Sequence, residues 1–315
     1  MDDVTLPTPS DDEVLLEAVC TGISPGTERL VGLGRVPGAL ADEMACRGMQ
    51  GTFSLPLLYG YSFVGRACHG KNKDRRAFVM RPHQQRAVAS QSELTWLPDD
   101  LPAARATLFA NLETARNAIW DAALLPTSNA IVIGAGAVGL LCAFVLSCDR
   151  PTGPGATIVE RDPARRARAA DLPWIEAAIA PEELPREHYD TAVHTTASQQ
   201  GLQLAIDAVG FEGQVLELSW YGDTPVSLRL GGSFHSRRKR IVASQVGTIA
   251  APHRAAGYAA RRQVVLEMLQ NRDLDQLLDA PIPFARAAEA FTSLYRGELT
   301  SPCPVFDHAL GRPSA

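Results

Sequence analysis

Along the first third of the chain, apolar and polar positions alternate over short stretches broken by Gly and Pro. Residues 13–23, EVLLEAVCTGI, alternate loosely and end beside a glycine, which predicts a strand. Residues 60–68 and 76–90 predict further short strands around turns, as in a small all-β lobe. The period then lengthens. Over 101–124, Leu108, Leu112, Ala115 and Ile119 recur at helical spacing, bracketed by Pro102 and Pro126.

From residue 129 apolar runs alternate with helical stretches. Strands are predicted over 131–133, 157–160, 191–194, 214–219 and 241–246, and helices over 138–146, 163–170 and 199–209. Strands separated by helices imply a parallel, doubly wound sheet covered on both faces. The tail, 254–299, is mostly helical in pattern and is followed by a short apolar run at 304–306. The expected fold class is therefore α/β. A β lobe formed by 1–112 and 250–315 receives a sheet domain of the nucleotide-binding type, 113–249, as an insertion.

Composition narrows the function classes. The 315 residues suit about two domains, and 46% hydrophobic with 21% charged residues excludes a mainly disordered or fibrous chain. With 30 Lys and Arg against 35 Asp and Glu the net charge is −5, which argues against a nucleic-acid partner. The six cysteines, 20, 46, 68, 142, 148 and 303, form no CxxC pair and have no His at metal-ligand spacing, so reduced, mostly packed thiols are expected. The N-terminal MDDVTLPTPSDDEV is acidic and lacks the apolar core of a signal peptide, which predicts a cytoplasmic protein. The uncharged run 130–148 approaches the length of a membrane span. Its three early glycines and missing basic flank favour a buried strand, a turn and a buried helix, with no membrane partner.

That run carries the chain's clearest chemistry. Gly134-Ala135-Gly136-Ala137-Val138-Gly139 matches G-x-G-x-x-G between a predicted strand and a predicted helix. The first glycine permits a tight turn, the second lets a pyrophosphate approach the backbone, and the third lets helix and strand pack closely. The helix N-terminus then offers free N–H groups to the phosphates. Glu160 closes the next strand 21 positions after Gly139, where the ribose hydroxyls are expected. A carboxylate there repels a 2′-phosphate, whereas Arg161, Arg165 and Arg166 attract one. NAD(H) is favoured and NADP(H) possible. The later strand ends, Thr195 and Thr196, Ser219 and Trp220 with Tyr221, and Ser244 to Val246, are expected along the same crevice, with Trp220 and Tyr221 either walling the ligand or packing at a lobe interface. The basic run 235–240 reads as a solvated edge.

A β lobe ahead of such a sheet domain, with Thr21-Gly-Ile-Ser-Pro-Gly-Thr-Glu28, Tyr59-Gly-Tyr-Ser62, the glycine turn and Pro283-Phe-Ala-Arg-Ala-Ala-Glu-Ala-Phe291, resembles the medium-chain dehydrogenase/reductase family. The resemblance implies a GroES-like catalytic lobe, a Rossmann domain, hydride exchange with nicotinamide in an interdomain cleft, and a homodimer pairing edge strands near 241–246. The segment 21–28 is also similar to that of bacteriochlorophyllide dehydrogenases, a metal-free-looking branch. Zinc members carry Cys where Ser24 stands, a His-Glu pair where Tyr61 and Ser62 stand, and a further Cys near Ala110. Their four-cysteine structural lobe is missing here, since 79–83 runs straight into 84–88. A hydroxyl, a phenol and a methyl do not build a tetrahedral zinc site, so no zinc is expected.

Without a metal, side chains must move the proton that accompanies a hydride. Tyr61 stands at a metal-ligand position, and His83 follows Pro82 where the structural lobe is missing. Glu113 lies beside Thr114, which corresponds to a nicotinamide-contacting threonine of the family. Ser24 is expected to contact cofactor or substrate. The expected function is a zinc-independent NAD(P)-dependent oxidoreductase acting on a C=O, C=N or activated C=C of a small-molecule or secondary-metabolite substrate. The alternatives are a secondary-alcohol dehydrogenase of a large planar, chlorophyllide-like substrate, and a non-enzymatic nucleotide-binding sensor or partner subunit.

Overall fold

The computed structural model describes residues 5–125, 127–150 and 155–310. Pro126, expected to close a helix, lies outside them, as do the first four residues of the acidic N-terminal segment. The first strand, β1 (Glu13–Gly22), buries Val14, Leu16, Ala18 and Cys20 and turns the intervening residues outward, the period-two pattern of a half-buried strand. Helix α1 (Pro25–Gly32) follows, with Pro25 opening its first turn, where proline's missing N–H costs nothing. Then come β2 (Phe63–Ala67), β3 (Arg76–Val79), β4 (Arg86–Ser90) and β5 (Thr95–Trp96). β1 pairs antiparallel with β2 and β4, and Leu16, Phe63, Ala77, Val79 and Ala87 form the core beneath them.

The helix expected over 101–124 is two, α2 (Ala103–Ala106) and α3 (Phe109–Ala122). The break falls at Thr107, whose carbonyl accepts the Ser62 hydroxyl at 2.6 Å while its own hydroxyl donates back to the Ala104 carbonyl at 2.6 Å.

The alternating region contains β6 (Ala130–Ile133), α4 (Ala137–Cys148), β7 (Ala156–Val159), α5 (Pro163–Ala170), β8 (Ile175–Ile179), β9 (Tyr189–His194), α6 (Gln199–Ala208), β10 (Val209–Glu217), α7 (Ser233–Ser236), β11 (Arg240–Ala243) and α8 (Gly257–Met268). Among the described residues its six strands run in the order β11-β10-β9-β6-β7-β8, all pairs parallel. In this doubly wound order the connection reverses direction between β6 and β9. The uncharged run is β6, a turn and α4, and among the described residues no helix is long and apolar enough to cross a membrane. The return segment supplies β12 (Ile282–Pro283), α9 (Ala287–Arg296) and β13 (Val305–Asp307), and β13 pairs antiparallel with β1.

Several bounds differ from expectation. Val209 opens β10 instead of closing a helix, β10 stops at Glu217, and β11 stops at Ala243. Ser219, Ser244 and Val246 therefore lie in loops beyond the strands. The edge strand β8 was not expected, because IEAAI has neither an apolar run nor a clear alternation. The chain forms two compact units, Met1–Ala110 with Leu266–Ala315, and Asn111–Val265. Residues 250–265 thus remain with the sheet unit instead of returning at 250. The Ala250 N–H donates to Asn117 Oδ1 at 3.1 Å, and Arg261 binds Glu113 at 3.1 Å and Asn117 at 3.0 Å, fastening this stretch to α3.

Candidate functional site

In the sheet unit, the chain leaves β6 through Gly134, whose φ of +110° suits a residue without Cβ. A Cβ on Gly139 would drive into the Gly134 carbonyl oxygen, so α4 can pass this close to the turn only with glycine there. Gly136, the N-cap of α4, differs: a Cβ added to it meets nothing within 4 Å. Ala137 and Val138 follow in the first turn. The turn is thus packed on its inner side and open on its outer side, where a pyrophosphate would meet the helix N-terminus. These residues fit a dinucleotide.

Glu160, at the end of β7, is buried, and its two oxygens accept the N–H groups of Ala135 and Asp162, each at 2.9 Å. One of those donors belongs to the glycine turn itself, so the carboxylate braces the turn it was expected to accompany. Arg161 and Arg165 are exposed, whereas Arg166 donates to the Glu160 carbonyl at 2.8 Å and caps the strand end.

At the end of β9, the Thr195 hydroxyl donates to the Ile133 carbonyl at 3.0 Å, and Thr196 lies against Gly134. Behind them is a polar cluster that the strand pattern did not reveal. His194 has no exposed surface; its Nδ1 lies 2.8 Å from Glu217 Oε2 and its Nε2 2.6 Å from the Thr196 hydroxyl. Glu217 also accepts the Ser219 N–H at 2.7 Å and the Tyr221 hydroxyl at 3.0 Å. The available signal was a polar residue ending each of two successive apolar strands. Trp220 is half-buried in the loop after β10. Ser244 donates to Asp121 at 2.7 Å and the Val246 carbonyl accepts Arg261 at 2.8 Å, so both are engaged within the unit. The basic run is only partly solvated: Arg237 and Arg238 pair with Glu187 and Glu212, and buried Lys239 donates to the Ile206 carbonyl at 2.8 Å.

Glu113 is also buried, and Arg261 donates to it at 3.1 Å. Burial raises its carboxyl above the ordinary range, with Arg261 opposing. Thr114 stands beside it, half-buried on α3.

The unit built on β1 holds a second cluster. His83 Nε2 lies 2.9 Å from Glu28 Oε2, His83 Nδ1 lies 2.8 Å from the Thr21 hydroxyl, and that hydroxyl is 3.1 Å from His308 Nε2. The Ser24 N–H donates to the other Glu28 oxygen at 2.7 Å, and Phe291 and Phe306 present ring edges around His83. Both imidazole nitrogens are therefore engaged. Tyr61 is less enclosed: its hydroxyl reaches Thr27 at 3.4 Å and bonds the Ser24 side chain. Burial pushes the Tyr61 phenol above its ordinary value and those hydroxyls partly offset it, so it keeps its proton at neutral pH. Sequence reasoning brought Tyr61, Ser24 and His83 to this unit but missed the role of Glu28, one helical turn beyond Ser24.

Ala110 carries a methyl and no donor group. Among the described residues no group of three or more His, Cys, Asp or Glu could hold a metal ion. The six cysteines are free, and burial pushes the thiols of Cys20 and Cys142 up to about 12.

No family model matches the sequence, and no curated protein matches it significantly. Solved structures match its fold. A 2R,3R-butanediol dehydrogenase from Bacillus subtilis gives a TM-score of 0.74 at 16% identity, over 97% of this chain and 95% of that one. Acetophenone reductase from Geotrichum candidum, solved in complex with NAD, gives 0.75 at 16%, over 97% and 92%. A zinc-dependent alcohol dehydrogenase 2 from Streptococcus pneumonia gives 0.74 at 13%, over 99% and 96%. The fold is thus mixed α/β, a GroES-like β lobe with a Rossmann parallel sheet, shared with zinc-type alcohol and butanediol dehydrogenases.

Proposed function

We propose that the protein is an NAD(P)-dependent oxidoreductase that works without zinc. The observation that carries this reading is the glycine turn: packed by Gly134 and Gly139, open at Gly136, and braced by Glu160 just past the next strand. When bound, NAD(H) gives or takes the hydride. NAD(H) is favoured over NADP(H) because a buried carboxylate braces the turn, while exposed Arg161 and Arg165 keep NADP(H) possible.

The metal-free part rests on donor chemistry. Ser24, Tyr61, Ser62 and Ala110 do not make a zinc ligand set. In the reductive direction, carbon of a C=O, C=N or activated C=C group accepts the hydride and the Tyr61 phenol supplies the proton. Solvent then reprotonates Tyr61. His83 and Glu28 hold the segment carrying Ser24 and Thr27 in place, and Glu113 stays with Arg261. Small-molecule or secondary-metabolite substrates fit this chemistry, as does a secondary alcohol on a large planar molecule of the bacteriochlorophyllide kind. We further propose a homodimer through β11, an edge strand of its sheet with Ile241 37% exposed.

Fluorescence titration with NADH and NADPH tests the reading, followed by a carbonyl, imine and enone panel in metal-free buffer. Binding of neither nucleotide, or turnover that needs added zinc, overturns it. A non-enzymatic nucleotide sensor is favoured by one observation: His83 and Glu113, two residues expected to move protons, are engaged with internal partners. It predicts nucleotide binding with no hydride transfer across the panel.

A further inference from the structure

The cluster behind the crevice is unused by this chemistry. A buried imidazole facing a half-buried carboxylate is costly, and apolar residues of the same volume would often stabilise an α/β core better. The location supplies a reason to keep the pair. β9 and β10 are adjacent parallel strands, and ligands of such sheets bind beyond the carboxyl ends, at the reversal between β6 and β9.

His194 holds the Thr196 hydroxyl at 2.6 Å, and Thr196 packs on the first glycine: a Cβ on Gly134 would stand 2.8 Å from Thr196 Cγ2. The Ser198 hydroxyl joins Thr196 at 2.8 Å. On the other side, Glu217 receives Ser219 and Tyr221, the residues that follow β10. Burial pushes the Glu217 carboxyl up, but the bonds from His194 and Ser219 outweigh it and hold the group below its ordinary value, so it remains an acceptor. One carboxylate therefore fixes both loops leaving β9 and β10. Gly201 completes the fit, since a Cβ there would collide with the Thr196 hydroxyl and stand 2.8 Å from His194 Nε2.

We infer that the His194–Glu217 pair is a positioning device for the dinucleotide, locking Thr196 against the glycine turn and holding Ser219 and Tyr221 along the same strand ends. The inference rests on the dinucleotide reading of this crevice. Neither residue touches reacting atoms; both act through the side chains they hold.

The test compares NADH dissociation constants and melting midpoints for the full chain and its His194→Phe, His194→Asn and Glu217→Gln variants. His194→Phe is expected to weaken NADH at least tenfold. Asn, whose amide reaches the place of Nδ1, should recover part of that loss. If His194→Phe fails to fold, Glu217→Gln carries the same tenfold expectation, because it keeps the volume while removing the charge. A melting midpoint that falls while NADH affinity stays unchanged in the folded variants overturns the inference alone. Wild type that binds neither NADH nor NADPH overturns the dinucleotide reading, and this inference with it.

Discussion

Glu28 and His83 face each other at 2.9 Å in the first unit, the carboxylate residue 3% and the imidazole residue 8% exposed. With so little water available, the facing Nε2 and Oε2 have each other as polar partner, while Thr21 and the Ser24 N–H serve the remaining atoms. His83→Ala leaves Glu28 buried with the Ser24 N–H but without its imidazole. Leaving a buried acceptor without its partner costs about 1–3 kcal/mol. Urea unfolding is the measurement, and a loss below about 1 kcal/mol, the size of an exposed pair, would refute the assignment.

Tyr61→Phe separates chemistry from architecture. The ring stays and only the hydroxyl bonded to Ser24 and Thr27 is lost. Stability should fall by about 1 kcal/mol, the net value of a hydrogen bond. Turnover should fall about a hundredfold, the contribution of one acid group, with NADH affinity unchanged. Equal turnover in the two proteins would remove Tyr61 from the mechanism.

The sheet unit was the more legible half of the chain, for a physical reason. Strands covered on both faces must be apolar runs, and Ile131, Val132 and Ile133 or Ala192 and Val193 stand out against the helices between them. The glycine turn was legible because steric limits at Gly134 and Gly139 admit one residue type. The polar clusters were not legible. His83 meets Thr21 and Glu28 across 62 and 55 residues, and His194 meets Glu217 across 23, so no local period records the pairing. Glu113 illustrates the other limit: its position in the pattern suggested an acid, but its partner Arg261 lies 148 residues away.

Gly139→Ala tests the turn by volume alone. The added methyl is directed into the Gly134 carbonyl oxygen and stands 2.8 Å from Thr195 Oγ1, so either α4 or the turn must move. Overpacking of this kind costs about 1–3 kcal/mol, and the displaced turn should lose NADH binding more than tenfold. Gly136→Ala meets open space and should leave stability within about 0.5 kcal/mol, as for ordinary surface changes, while still obstructing the nucleotide. Thermal melting with NADH titration of both variants checks the contrast.

Glu160→Gln should shift cofactor choice toward NADPH. The substitution removes the charge that repels a 2′-phosphate and leaves Arg161 and Arg165 exposed beside the strand end. It also puts an amide donor where one of two backbone N–H groups needs an acceptor, so a cost of about 1–3 kcal/mol accompanies the switch. The ratio of NADH to NADPH dissociation constants is the readout. An unchanged ratio would mean that the carboxylate serves the turn alone.

Two carboxyls, half-buried Glu93 and buried Glu113, predict pH dependences of opposite sign. Burial pushes the Glu93 carboxyl up, but hydrogen bonds from Arg81 and Arg47 outweigh it and hold the group at about 2. Its folded value lies below its ordinary one, so its contribution is complete above the ordinary carboxylate range and is lost as pH falls toward about 2. Glu113 is the reverse: burial raises it, Arg261 only partly opposing, so the folded chain holds its proton more tightly than the unfolded chain does. Its contribution is complete below the ordinary range and declines as pH rises through the folded value. The stability of wild type relative to Glu93→Gln should therefore shrink on acidification, while that relative to Glu113→Gln should grow. Urea midpoints for the three proteins, followed from about pH 2 upward through neutrality, compare the two differences. The same slope in both differences would show that Arg261 neutralises Glu113 as fully as Arg81 neutralises Glu93.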